Sequence, residues 1–177
     1  MAIIDQPRAS HLAKQAFDFW QSGQLEQAVS LYEEALSLAD PKHYGRPDYH
    51  GEFAGVLTAL GRFPEAQEQL EAALTVQRDL DGNDLSSGVV IARYFLADHF
   101  LRQKQPQEAI DTVTPSLQDD VTTEWLLRLV KALALSDLGR VEEAKSEANI
   151  ALLKAPSEEK RSELMQWFTE KLGEGWH

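Results

Sequence analysis

Small and large apolar residues recur along this chain at spacings that belong to antiparallel helix pairs. Four segments share one shape, a turn followed by a helix start: Gly23-Gln24-Leu25-Glu26-Gln27-Ala28, Gly61-Arg62-Phe63-Pro64-Glu65-Ala66, Lys104-Gln105-Pro106-Gln107-Glu108-Ala109 and Gly139-Arg140-Val141-Glu142-Glu143-Ala144. Twelve residues before the closing alanine stand Ala16, Ala54, Ala97 and Ala132, and nine before it stand Phe19, Leu57, Phe100 and Leu135. Seven residues after it come Ala35, Ala73, Ser116 and Ala151. Small residues let two helix backbones approach where they cross, and a large apolar residue fills the space beside the contact. Each copy therefore describes a helical hairpin. One hairpin buries only part of its apolar surface, so successive hairpins must stack.

Start and stop signals place nine helices at about 7–22, 25–38, 47–60, 64–79, 86–103, 106–114, 121–138, 141–154 and 157–172. Pro47, Pro64 and Pro106 fall in first turns, where the missing N–H costs no hydrogen bond. Gly61 and Gly139 follow apolar runs, as helix-ending glycines do. Pro115 does not suit a helix interior, so the sixth helix should be short or kinked near Thr114. In that case Ser116 matches the repeat in sequence without its packing role. The last segment puts Leu164, Trp167, Phe168 and Leu172 on one face, which suits either capping the open end of the stack or pairing with a second copy. Trp176, in the terminal Gly173-Glu174-Gly175-Trp176-His177, either packs back or stays free.

With its small residues at these spacings from about Arg8 to Pro156, the chain resembles the tetratricopeptide repeat, whose pattern has small residues at its eighth, twentieth and twenty-seventh positions. The resemblance implies an all-α fold, a right-handed α-α superhelix in a single domain over 1–177, with repeats at about 8–41, 47–80, 86–118 and 121–156 and a capping helix at 157–172. The tryptophan often found near the start of such repeats is replaced by Leu12, His50, Arg93 and Arg128. The family proline is in register at Pro156 and one residue late at Pro41. The anchor alanines lie 38, 43 and 35 residues apart (28 to 66, 66 to 109, 109 to 144), against a norm of about 34. The stretch from Glu65 to Ala97, with Asp81-Gly82-Asn83-Asp84 between two long helical patterns, resembles the longer repeats of kinesin light chains.

Composition narrows the function. A net charge of −12, spread along the chain rather than gathered into a tail, would repel a phosphate backbone, so no nucleic acid is expected as partner. No run of apolar residues reaches the length of a membrane span, and Met1–Pro7 lacks the basic and apolar pattern of a leader. No membrane association is expected, and the cytoplasm is the expected location. The absence of cysteine removes disulfides and thiol chemistry. His11, His43, His50, His99 and His177 fall in different predicted elements without the spacing of a zinc motif, and neighbours such as Asp98 and His99 do not face each other on a helix. Gly51 and Gly55 have helical spacing and lack the partners of a phosphate loop. Each costs about 1 kcal/mol relative to alanine, so a close approach by a neighbouring helix or a bound segment is expected there. No catalytic residue, metal or cofactor is assigned.

The resemblance also implies where a partner binds, because the first helix of each pair lines the concave face of such stacks. Carried over position by position, the groove takes Phe17, Trp20 and Gln21 beside Ala13 from the first repeat, and Asp48, Gly51 and Gly55 beside Thr58 from the second. The third supplies Ile91, Tyr94, Asp98 and Leu101, and the fourth Leu129 and Ser136 beside Leu126 and Leu133. Apolar groups would anchor a peptide or protein segment, and Asp48 and Asp98 would favour a basic group on it. For Phe17, Leu129 and Leu133 a place in the core is the favoured reading. The lysine and asparagine clamp by which some of these repeats hold an acidic chain end is missing, since its places hold Ala13, Phe17, Gly55, Tyr94 and Asp98. The expected function is a non-catalytic adaptor, scaffold or assembly helper, monomeric or weakly self-associating. The alternative is a structural subunit acting through its outer face or last helix.

Overall fold

The helices form where the apolar repeat and the end signals coincide. A computed structural model describes residues 3–118, 121 and 123–177. Among them the elements are α1 (Gln6–Gln21), α2 (Leu25–Leu38), α3 (Arg46–Ala59), α4 (Phe63–Asp81), α5 (Ser87–Arg102), α6 (Pro106–Val113), α7 (Glu124–Asp137), α8 (Val141–Leu153) and α9 (Glu158–Leu172), with no strand. They group into two compact units, Met1–Gly82 with α1 to α4 and Asn83–His177 with α5 to α9. Within each unit, consecutive helices pack as antiparallel pairs, α1 with α2 and α3 with α4, then α5 with α6 and α7 with α8. The small repeat positions sit where these pairs touch: the alanines at 16, 28, 54, 66, 97, 109, 132 and 144 are all buried.

All four hairpins turn in the same way. The N–H of Gln24, Arg62, Gln105 and Arg140 donates to the carbonyl of Phe19, Leu57, Phe100 and Leu135, at 2.8, 2.8, 2.9 and 2.9 Å. The preceding residue, Gly23, Gly61, Lys104 or Gly139, takes a left-handed conformation and donates to the carbonyl three residues back. This is the double closure of a Schellman turn, which satisfies the last carbonyls of the first helix and reverses the chain. The large apolar residue of the repeat thus both fills the hairpin and accepts the turn bond. Lys104, at φ 60°, is the non-glycine residue among the four, and an L side chain there costs about 1 kcal/mol or more. Lys104→Gly is therefore expected to raise the unfolding free energy by about 0.5–1 kcal/mol, read as a higher urea midpoint.

Side-chain caps set several helix starts. Asp5 accepts from the Arg8 N–H at 3.1 Å, Ser86 from Val89 at 3.2 Å and Ser157 from Lys160 at 3.1 Å. Arg46 donates to the carbonyls of Leu36 and Ala39, closing the end of α2. Helix α6 stops at Val113, as Pro115 requires, and the chain continues through a single 3-10 turn at Thr114–Ser116. The turn carries Ser116 to a fully buried position, so it keeps the packing place that the shortened helix was expected to cost it. Its hydroxyl donates to the Asp84 carbonyl, an acceptor that the alanine found in the other repeats could not use. Helix α7 starts at Glu124, three residues later than expected. Positions 119, 120 and 122 lie outside the described residues.

The positions where tryptophan is missing carry a second regularity. Leu12, His50 and Arg93 are buried and Arg128 is largely so. The three polar ones each reach the second helix of their own pair. His50 Nδ1 lies 2.8 Å from Gln69 Oε1, Arg93 donates to the Thr112 carbonyl at 2.8 Å, and Arg128 donates to Glu147 Oε2 at 2.7 Å. A polar tie between helices stands where the repeat otherwise has an aromatic plug. Burial holds the His50 pKa below the ordinary histidine value. Arg93 also clamps the start of its unit through Asp84, at 2.6 Å.

Helix α9 packs on α7 and α8. Leu164 and Phe168 join Ala132, Ala148, Ala151 and Leu152 in one cluster. The terminal residues fold back onto it: Trp176 is buried, its ring 5.2 Å from that of Phe168, and its Nε1 donates to Thr169 Oγ1 at 3.1 Å. The last helix closes its unit, and the indole seals the edge.

Candidate functional surface

In the first unit, α1 and α3 lie in contact, and their faces bring the selected residues together in part. Trp20 is half-buried and Phe17 is exposed, with the rings edge to face at 5.9 Å. The Trp20 indole lies on the backbone of α3 at Gly55, where a Cβ would stand 2.5 Å from Cη2 and 2.6 Å from Cζ2. That glycine is required by a neighbouring helix of the same chain. Gly51, one turn earlier, differs: a Cβ there would meet nothing within 4 Å. Asp48 and Gln21 are exposed.

The two glycines therefore predict opposite results. Gly51→Ala gains helix propensity without a clash and should raise stability by about 1 kcal/mol. Gly55→Ala forces a rigid indole to move and should lower stability by about 1–3 kcal/mol, with a shift in tryptophan emission. Urea unfolding of both variants, followed by fluorescence, checks the pair.

Sequence reasoning passed over Glu52, which follows Asp48 by one helical turn. It is half-buried, and one carboxylate oxygen accepts the hydroxyl of the buried Tyr32 at 3.0 Å. Burial raises the Glu52 pKa, the tyrosine hydroxyl lowers it, and the charge of Asp48 raises it further. Partial burial also raises Asp48, and burial beside Glu52 pushes the Tyr32 hydroxyl far up. The i, i+4 acidic spacing was readable in the sequence; the withdrawal of Glu52 from water was not.

In the second unit, α5 and α7 are in contact. Ile91 is exposed, Tyr94 half-buried and Leu101 buried. Phe95, which the positional transfer did not select, is 53% exposed and stacks edge to face on Tyr94 at 5.3 Å. Asp98 is paired with Arg102 at 2.7 Å, so its charge is already met within the helix. On α7, Leu129 packs against the cluster of Phe168 and Trp176, and Ser136 is half-buried with its carbonyl bound by the Gly139 N–H. Leu129 thus serves the core of its unit, while Ile91, Tyr94 and Phe95 form an apolar strip on α5. Among the described residues no three His, Asp or Glu side chains gather as a metal site needs, and no helix is long and apolar enough to cross a membrane.

The family model of the tetratricopeptide repeat matches residues 7–79 and again 46–117. The chain belongs to the tetratricopeptide repeat family. Tetratricopeptide repeats are typically non-catalytic protein-interaction scaffolds. No curated protein matches the chain. Among solved structures it is similar to a Podosopora anserina kinesin light chain protein of nearly identical TPR-like repeats, at 20% identity and a TM-score of 0.71, over 94% of this chain and 86% of that one. It is also similar to YrrB, described as a TPR protein with an unusual peptide-binding site, at 17% identity and a TM-score of 0.59, over 93% and 78%. MamA from AMB-1 follows at 20% identity and a TM-score of 0.60, over 91% and 87%. At these identities the likeness concerns the fold, and the fold is the tetratricopeptide solenoid.

Proposed function

We propose that this tetratricopeptide protein is a non-catalytic adaptor or assembly helper that holds a peptide or protein segment against the faces of its first helices. One observation carries the reading. Among the described residues, the large apolar side chains exposed in the interior of a helix are Phe17, Ile91 and Phe95, all on first helices. The remaining exposed ones lie in loops, at the chain start or at helix ends, where single apolar residues are ordinary. Exposed aromatic side chains beside half-buried ones are the anchor points that segment recognition uses.

The similarity to YrrB supports peptide binding as the mode, and family membership supports interaction over catalysis. Of the alternative, a structural subunit acting through its outer face or last helix, the last-helix version has less support because α9 buries Leu164 and Phe168 inside its own unit. Affinity capture with the wild type and a Phe17→Ser, Phe95→Ser variant of unchanged helical content tests the proposal. Loss of a specific partner in the variant supports recognition on the first helices, whereas equal recovery of the same partners moves the interface elsewhere.

A further inference from the structure

Of the helical carboxylates withdrawn from solvent among the described residues, Glu34, Asp98, Glu124 and Glu147 are each paired with an arginine or lysine of the chain. Glu52 is not. It has the Tyr32 hydroxyl on one oxygen and the like charge of Asp48 one turn away. The same i, i+4 spacing on α5 joins Asp98 to Arg102, whereas on α3 the guanidinium of Arg46 turns to the carbonyls of Leu36 and Ala39 and pairs with neither Asp48 nor Glu52. Two carboxylates a turn apart repel each other, and a helix that carries them with no cation paired to either is the less stable for it.

The surroundings of this pair are open and apolar. Asp48, Gly51 and Gly55 fall on one stripe of α3, with Glu52 beside it. Trp20 covers Gly55, which leaves Gly51 as a bare piece of helix backbone between the carboxylates and the indole. No contact within the chain asks for a glycine at that point, yet a glycine inside a helix lowers its stability by about 1 kcal/mol relative to alanine. A bare backbone lets the stem of a long side chain lie close, and an indole offers the stem an apolar wall.

We propose that the face of α1 and α3 formed by Asp48, Gly51, Glu52, Phe17 and Trp20 is a subsite for an arginine or lysine of an extended peptide segment, next to an apolar residue of that segment. The cation meets Asp48 and Glu52, its stem crosses Gly51, and the apolar neighbour rests on Phe17 and the indole edge. The inference rests on the segment-binding reading above and adds the chemistry of the segment. Charge complementarity selects the occupant, since a second copy of a chain with a net charge of −12 brings mainly acidic surface to the same place.

The test pans a phage-displayed library of random dodecapeptides against the full chain and measures the enriched peptides by fluorescence polarisation. The expected peptides carry arginine or lysine beside an apolar residue. Their affinity should fall at least ten-fold in Asp48→Asn, Glu52→Gln, in which the glutamine still accepts from Tyr32, and at least ten-fold in Gly51→Leu, which occupies the bare backbone. Glu68→Gln, an exposed carboxylate on the second helix α4, should change it less than two-fold. Enriched peptides without a basic residue, or affinities unmoved by the Asp48 and Glu52 changes, overturn the subsite and leave the module reading standing. A library that yields no binder overturns both. Circular dichroism and urea unfolding of each variant show whether a loss comes from the face or from the fold.

Discussion

Arg128→Met should lower the unfolding free energy by about 3–5 kcal/mol, the range for breaking a buried ion pair from one side. Arg128 sits between two carboxylates, bound to Glu124 at 2.7 Å and to Glu147 at 2.7 Å, and Lys131 and Lys154 approach the same two acids at 2.6 and 3.5 Å. Glu124 is fully buried, and its second oxygen has no hydrogen-bond partner. Removing the guanidinium leaves that carboxylate inside the protein with only the half-exposed Lys154, 3.5 Å away. Burial works to lower the Arg128 pKa, but the hydrogen bonds to Glu147 and Glu124 and the charges of these acids together outweigh it and raise the pKa, so the arginine stays charged across the accessible pH range. A triple replacement, Glu124→Leu, Arg128→Met, Glu147→Leu, removes acids and base together and should be close to neutral, because no buried charge is left alone. The two lysines reach solvent on their own stems. Urea denaturation of the single and triple variants decides the matter. A single variant as stable as the wild type would mean that the cluster is solvated in the native protein.

Phe168→Ala is expected to cost about 3–5 kcal/mol, as truncations of fully buried phenylalanines do. The ring touches both aromatic neighbours of the terminal cluster, Trp167 at 5.3 Å and Trp176 at 5.2 Å between centroids. Its loss should therefore free the chain end as well as loosen α9. Hydrogen exchange should rise in α9, and tryptophan emission should shift to the red as Trp176 meets water. The same variant separates the two readings of the last helix. A face that closes its own unit loses the same stability at every protein concentration, whereas a face shared between copies makes the loss depend on concentration.

The repeat was legible because packing of two helices restricts residue size at few, regularly spaced positions. Ala16 and Ala28, or Ala54 and Ala66, must be small wherever the pair crosses, and the turn residue, glycine at 23, 61 and 139 and lysine at 104, must adopt a left-handed conformation wherever the chain reverses. Pro115 announced the end of α6 for an equally local reason, the missing N–H. Ser116 shows where local reasoning stops. Its burial depends on the 3-10 turn and on the Asp84 carbonyl, thirty-two residues earlier in sequence. The groove residues show the same divide. Positional transfer could pick Trp20 and Gly55 separately, but only packing of α1 on α3 sets the indole on the glycine and leaves Gly51 bare.

Local chemistry along the chain was enough to settle the helical class, the pairing of helices, the turns and the family, since each follows from residue size, backbone freedom or end-group hydrogen bonds within one hairpin. Tertiary contacts decided which polar residues replace the repeat tryptophan and with whom they bond, that Asp98 carries its own cation while Glu52 does not, and that Trp176 returns to the core. Those outcomes depend on distances between residues remote in sequence and on exclusion of water, and neither can be read from spacing along the chain.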